Sequence, residues 1–206
     1  FRSNGYYKYY NTNITEKVLI NNLEFNSNLK YLNNGLINNQ KLLIKNVNSD
    51  AKNSEKFKNK NSSTFSPTFQ TNYTYPLQKQ TNNFNHTLTP KFSLNLSIPH
   101  TKDVRNNNTK INYDNIYDIN RLGLDEASEG GISAIYGYEY TKINKTNFNQ
   151  KMKFGFANNL RFEENKDLPA DSNLGDKVSD FVGLFEYNPT ENIKLDYNFS
   201  LKNNLV

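Results

Sequence analysis

The chain has 206 residues, a net charge of +5 and a mean hydropathy of −0.86, a length that suits one large domain or two small ones. It has no cysteine, which excludes disulfides and thiolate metal sites, and no run of about 18 apolar residues, which excludes a membrane-spanning helix. The positive charge is spread along the chain without a basic cluster that interleaves with aromatic residues, so nucleic acid is not an expected partner.

Apolar and polar residues alternate with a period of two in several segments, which predicts extended strands rather than helices. In 87–98, for example, Phe92 and Leu94 have one parity and Lys91 and Asn95 have the other. In chain order the predicted strands are 17–32, 36–47, 66–76, 87–98, 132–140, 152–162, 178–188 and 193–201. The two faces are distinct in most of these strands but mixed in 178–188.

The predicted strands are mostly longer than those of soluble sheets, and their connections alternate between short and long. Strands of globular proteins average about 5–6 residues, whereas a tilted strand needs about 9–11 residues to cross a bilayer. We expect long loops at 48–65, 99–130 and 164–177, with short connections between them. Short turns on one side and long loops on the other are typical of transmembrane barrels.

The polar parity of these strands includes charged residues, which are costly in contact with hydrocarbon. We therefore predict an all-β fold: the wall of an antiparallel up-and-down transmembrane β-barrel with about eight strands, apolar side outward and polar side toward an aqueous lumen. Residues 1–206 are expected to form a single barrel segment. Because the chain begins at Phe1 rather than Met, we expect it to be a piece of a longer protein, and its strands could close a small barrel or form an arc of a larger one.

The segment "NRLGLDEASEGGISAIYGYEYT" at 120–141 resembles a signature of the LPS-assembly outer-membrane proteins, the LptD (OstA) family. Further segments resemble the family in the same order: "YPL" at 75–77, "DKVSDFVG" at 176–183 and "NPTENIKLDYNFSL" at 188–201. The chain departs from the family pattern at Glu126, where a basic residue is usual. The residues that carry the resemblance are Asn120, Arg121, Gly123, Asp125, Glu129, Gly130, Gly131, Tyr136, Gly137, Ser179 and Asp180.

The resemblance implies a protein of the Gram-negative outer membrane that delivers lipopolysaccharide (LPS) to the outer leaflet. It implies that the chain is a fragment of a larger barrel, a middle-to-late arc of its wall, without the N-terminal periplasmic domain. It also implies four kinds of partner: LPS itself, outer-membrane lipid, a plugging lipoprotein of the LptE type, and a periplasmic bridge protein of the LptA type that binds through a separate N-terminal domain.

Two local expectations follow from the residues. Gly130 and Gly131 can supply positive φ where a long loop re-enters a strand. Arg121 could pair with Asp125 or Glu129 and so hold that loop against the wall, or the loop end could be polar without special pairing.

Four basic residues on the polar parity are candidate contacts for the phosphorylated core of LPS through charge-assisted hydrogen bonds. They are Lys91, Lys153, Arg161 and Lys194. The alternative is that these charges pair within the wall with Glu139, Glu163 or Asp196 on neighbouring strands.

No catalytic, cofactor-binding or metal-binding constellation is recognised in the sequence, so an enzyme is not expected. The histidines, His86 and His100, have no second ligand at metal-binding spacing. The "SEGGIS" segment does not match the spacing of a nucleophile elbow. Two other functions stay open: a passive porin-like or usher-like barrel, and a soluble or surface-exposed β-structured adhesin.

Overall fold

A computed structural model describes residues 1–10, 12–98 and 102–203, and these form one antiparallel sheet of eleven strands. A single 3₁₀ turn, Ala170–Ser172, is the helical element of the described chain. The strands are β1 (Arg2–Tyr10), β2 (Ile14–Asn26), β3 (Lys30–Tyr31), β4 (Ile37–Lys52), β5 (Ser62–Thr74), β6 (Leu77–Gln80), β7 (Phe84–Ser97), β8 (Ile132–Asn144), β9 (Lys151–Arg161), β10 (Phe181–Thr190) and β11 (Ile193–Leu201).

Nine long strands follow one another in chain order across the sheet, from β1 at one edge to β11 at the other. The two short strands lie beside this path: β3 pairs with β4 and so prolongs β2, and β6 pairs with β7 and so prolongs β5. The all-β antiparallel prediction is confirmed. The sheet is open, and its strand count is higher than the expected eight or so.

The first strand, β1, has no counterpart among the predicted strands because its composition hides its period. Tyr6 and Tyr10 lie on one parity and Tyr7 and Tyr9 on the other, so neither face is distinctly polar. β6 falls in a stretch that was expected to be a connection, and β4 and β5 extend to Lys52 and Ser62, into the expected loop 48–65. These segments show little alternation of polarity, and their pairing with neighbours makes them strands.

Connections of different length occupy the two ends of the sheet. The connections β3–β4, β6–β7, β8–β9 and β10–β11 are short and lie at one end, called here the short-turn end. The opposite end carries the longer connections β4–β5, β7–β8 and β9–β10, together with the brief β1–β2 connection. Among the described residues no helix is long and apolar enough to cross a membrane.

The two faces of the sheet differ in chemistry and in what covers them. The outward face has exposed large apolar side chains, such as Phe92 and Tyr136, each just over 40% exposed. The inward face has polar residues such as Ser93 and Ser133, which are almost fully buried. Residues 102–130, called here the insertion, cover the inward face. They form the main core together with wall residues that include Ile135, Ala157, Val182 and Leu184. Because Val182 and Leu184 lie in this core, the face of β10 that carries them is its inward face.

Candidate functional site

The insertion folds back from the long-connection end onto the inward face of strands β4 to β9. Ile116 and Leu122 of the insertion are among the most deeply buried residues of the described chain. The side-chain amide of Gln70, on β5, donates to the carbonyl oxygen of Tyr117 at 3.2 Å. What the sequence predicted as an external loop therefore contributes half of the buried residues of the main core, and it occupies the space in front of the polar face.

Arg121 makes four hydrogen bonds, two within the insertion and two from the insertion to the wall. Its Nε donates to Oε2 of Glu129 at 2.9 Å and its Nη2 to Oε1 at 2.5 Å, a bidentate pair. Its Nη1 donates to Oδ1 of Asn159 at 2.8 Å, and Nη2 also donates to Oγ of Ser133 at 3.0 Å. The expected pairing of Arg121 is thus made with Glu129, whereas Asp125 lies at the surface and pairs with Arg2 at 3.3 Å.

Arg161 is the second guanidinium of this cluster, and its side chain is 2% exposed. It donates to the carboxylate of Glu129 and to the carbonyl oxygen of Gly130. One buried carboxylate thus lies between two buried guanidiniums, an arrangement called here the Arg–Glu–Arg cluster. Glu163, one of the three carboxylates considered for pairing within the wall, contacts Arg161 only through its backbone oxygen, which accepts from Nε at 3.4 Å.

The glycines of the signature have separate tasks. Gly131 has a φ of 89° and continues the ladder between β7 and β8, since it donates to the carbonyl of Ile98 and accepts from the amide of Ser97. A Cβ on Gly131 would also lie 3.0 Å from Nη2 of Arg161. Gly130 does not have positive φ, whereas Gly123 does, at 64° within the insertion.

Lys45 on β4 holds the centre of the insertion. Its side chain is almost fully buried, and its ammonium group donates to Oδ1 of Asn120 at 2.9 Å, to the carbonyl of Ala127 at 2.7 Å and to that of Leu124. An ammonium has three donors, so this group is fully satisfied. This role could not be predicted from the sequence, because the contacts span more than 70 residues.

Two glycines on the inward face make room for tyrosines of the insertion. A Cβ on Gly155 would lie 2.3–2.6 Å from the ring of Tyr113, and one on Gly137 would lie 2.6 Å from the hydroxyl of Tyr117. Burial, followed by the charge of Glu139, raises the pKa of both Tyr113 and Tyr117 far above the ordinary tyrosine value. Gly137 of the signature is therefore a packing position, and Tyr136 beside it faces outward.

Ser179 and Asp180 fasten the β9–β10 connection to the wall, and both are buried. The backbone amide of Asn159 donates to Oγ of Ser179 at 3.1 Å, and the amide of Ser179 donates to the carbonyl of Asn159 at 2.9 Å. The side-chain amide of Asn173 donates to Oδ1 of Asp180 at 2.6 Å. Because Asn159 also accepts from Arg121, this connection and the insertion meet at one residue of β9.

At its outer end the insertion contacts the β4–β5 connection. The ammonium of Lys102 lies 3.6 Å from Glu126 and 4.8 Å from the centre of the Phe57 ring. Burial lowers the pKa of Lys102, although Glu126 opposes this effect. Burial by itself would raise the pKa of Glu126, but a hydrogen bond from its own backbone and the charges of Lys102 and Lys56 outweigh burial and lower that pKa.

The remaining candidate LPS contacts face inward and are paired. Lys91 lies 2.8 Å from Glu139, and Lys153 lies 3.6 Å from Glu139 and 3.9 Å from Glu186. Lys194 lies 2.6 Å from Asp196 on an exposed part of β11. A cavity of about 390 Å³ opens beside Lys91, Lys153 and Glu139. Its lining also includes Asn39, Lys41, Tyr113 and Asp114.

No group of three His, Cys, Asp or Glu residues in the described chain is arranged to hold a metal ion. His86 lies on the outward face of β7, and Nδ1 of its ring shares a 2.8 Å hydrogen bond with the hydroxyl of Tyr140. His100 lies outside the described residues. The polar groups between the insertion and the wall are suited to binding and to holding the insertion in place.

The family comparison agrees with this architecture. The model of the LPS transport system D family, LptD, matches residues 7–205. The chain belongs to the LptD family. This family is one of transport and assembly proteins rather than enzymes, and it is associated with LPS and with the outer membrane of Gram-negative bacteria. A search of curated proteins gave no match.

Proposed function

We propose that this chain forms part of the wall of an LptD barrel in the outer membrane, where it helps to deliver LPS to the outer leaflet. The LptD match over residues 7–205 carries the proposal. The faces of β7 to β9 support it: their outward parity is mostly apolar, as contact with acyl chains requires, and their charged residues face inward except at the short-turn end.

The direct test places one new charge on each face of β7 in the full-length protein. Phe92→Lys puts an ammonium on the outward face near mid-strand, at a cost of about 2–4 kcal/mol if lipid lies there. Thr89→Lys is the matched control, because residue 89 faces inward opposite Glu139. We expect Phe92→Lys to reduce the assembled protein and surface LPS and Thr89→Lys to leave both near wild type; equal tolerance of the two would refute a lipid-facing outward side.

We also propose that Lys91, Lys153, Arg161 and Lys194 contact the acidic core of LPS. Lys91 and Lys153 border the cavity and share Glu139, so an incoming phosphate could replace that carboxylate. Arg161 would first have to exchange Glu129 for the phosphate, because its donors are already engaged. Charge reversal at Lys91 and Lys153 should lower surface LPS, with Lys166→Glu as the control, because Lys166 is exposed in the β9–β10 connection and does not line the cavity; an unchanged level leaves wall pairing as the role of Lys91 and Lys153.

The lipoprotein plug and the periplasmic bridge protein are proposed partners of the whole protein. Co-purification with the full-length chain tests both. A passive pore is the competing function, and the insertion packed against the inward face disfavours it because it occupies the space that a channel needs. Steady conductance in planar bilayers without the lipoprotein would favour the pore.

A further inference from the structure

Three basic side chains form a row across the outward face near the short-turn end of the sheet. Lys79 on β6 is directly opposite His86 on β7, and His86 is directly opposite Lys142 on β8. Side chains at directly opposed positions of neighbouring strands are about 5 Å apart at Cβ. We call these three residues the basic row.

The basic row is an exception on the outward face of β5 to β10, which is otherwise uncharged in the described chain. On the outward face of the described strands β5 to β10, Lys79, His86 and Lys142 are the titratable side chains apart from tyrosines. In the part of the chain that the structure describes, no carboxylate lies within ion-pair distance of Lys79 or Lys142. Glu139 and Glu186 of the same strands lie on the inward face, where Lys91, Lys151 and Lys153 neutralise them.

Aromatic groups hold the row at the edge of the apolar band. The ammonium of Lys142 lies 4.1 Å from the centre of the Phe84 ring, and His86 contacts the Tyr140 hydroxyl. Shallow grooves flank the row on both sides, with volumes of about 380 Å³ and about 290 Å³. Their linings join basic and apolar side chains: Leu77, Lys79, His86, Leu88 and Tyr140 on one side, and Phe84, Lys142, Met152, Phe185 and Tyr187 on the other.

We propose that the basic row binds the phosphate headgroup of an anionic phospholipid in the leaflet at the short-turn end, with its acyl chains along the flanking grooves. Two unpaired ammonium groups and an imidazole match a phosphate in charge, and the apolar residues above them match the chains. The inference rests on the proposed function, because it requires the outward face to lie in a membrane. In outer-membrane barrels the short turns are periplasmic, so the lipid belongs to the inner leaflet.

The test uses the full-length protein in vesicles of phosphatidylcholine, alone or mixed with phosphatidylglycerol, and native mass spectrometry to count retained phosphatidylglycerol. Lys79→Gln with Lys142→Gln should weaken phosphatidylglycerol binding by about 25-fold, about fivefold for each lysine. Replacement of both lysines by Arg should preserve binding. Lys52→Gln is the matched control, because Lys52 is exposed on the outward face at the opposite end of the sheet.

The outcomes separate this inference from the proposed function. Selective loss of phosphatidylglycerol in the double Gln variant alone supports the basic row as the site. Equal retention in wild type, double Gln variant and Lys52→Gln overturns the site and leaves the membrane wall intact. Preferential displacement of phosphatidylglycerol by purified LPS overturns the assignment to phospholipid, and failure of the wild-type protein to insert into either kind of vesicle overturns both proposals.

Discussion

The ammonium group of Lys45, in the middle of β4, donates a 2.7 Å hydrogen bond to the backbone carbonyl of Ala127, which lies 82 residues later in the chain. Together with the bonds to Asn120 and Leu124, this contact holds a turn of the insertion against the wall. The insertion is therefore an integral part of the folded wall.

Replacement of Lys45 by Met should loosen the insertion, because it leaves buried carbonyl oxygens without a donor. We expect a loss of about 3 kcal/mol in the free energy of unfolding and faster proteolysis within 102–130 of the folded full-length protein. Lys41→Met is the control, since Lys41 has the same inward parity on β4 but lines the open cavity. Equal protease resistance in both variants would contradict the role of Lys45.

Glu129→Gln should be among the most damaging single changes in the chain. It removes the one carboxylate that both Arg121 and Arg161 contact, so two buried guanidiniums lose their counter-charge. We expect a cost of about 3–5 kcal/mol, measured as the free energy of unfolding in urea. Asp125→Asn breaks an exposed pair with Arg2 and should cost under about 1 kcal/mol; similar costs for the two variants would refute the importance of the Arg–Glu–Arg cluster.

Gly155→Ala tests the packing of Tyr113 on the strand. The added methyl group overlaps the ring of Tyr113, so we expect a cost of about 1–3 kcal/mol from overpacking. In the Tyr113→Ala background the same change should be much less harmful, and a double-mutant cycle measures this coupling. Gly5→Ala is the control, because its Cβ would meet its neighbours only at 3.4 Å; additive effects of Gly155→Ala and Tyr113→Ala would rule out the contact.

Alkaline pH should weaken the insertion through Tyr113 and Tyr117. Because the folded state raises the pKa of both phenols above the ordinary value of 10.0, the stability they contribute is complete below about pH 10 and is lost as pH rises through the folded values. Ultraviolet titration of the folded protein should show late-titrating tyrosines, and their number should fall by two after replacement of Tyr113 and Tyr117 by Phe. Titration of every tyrosine in a single step near pH 10 would disprove their burial.

Most strands of the wall could be predicted from the period of two, because alternation of apolar and polar residues indicates both the strand and the residues on each of its faces. β1 and β6 could not be predicted in this way. β1 has tyrosines on both parities, and β6 is too short to show a period. The partners across the site were also out of reach. The pairing of Arg121 with Glu129 spans eight residues and could be anticipated, whereas the contacts of Lys45, Gly137 and Gly155 depend on how a 29-residue insertion folds over distant strands.

The central claim is that the outward face of the wall contacts lipid and the inward face contacts water. Single cysteines at 88–97 of the full-length protein, in a cysteine-free background, allow a spin label at each position and a comparison of its accessibility to oxygen and to a water-soluble nickel chelate. We predict a period of two, with oxygen favoured at 88, 92, 94 and 96 and weaker oxygen preference at 89, 91, 93 and 95. Equal accessibility at both parities, or oxygen favoured at the Lys91 parity, would contradict the account.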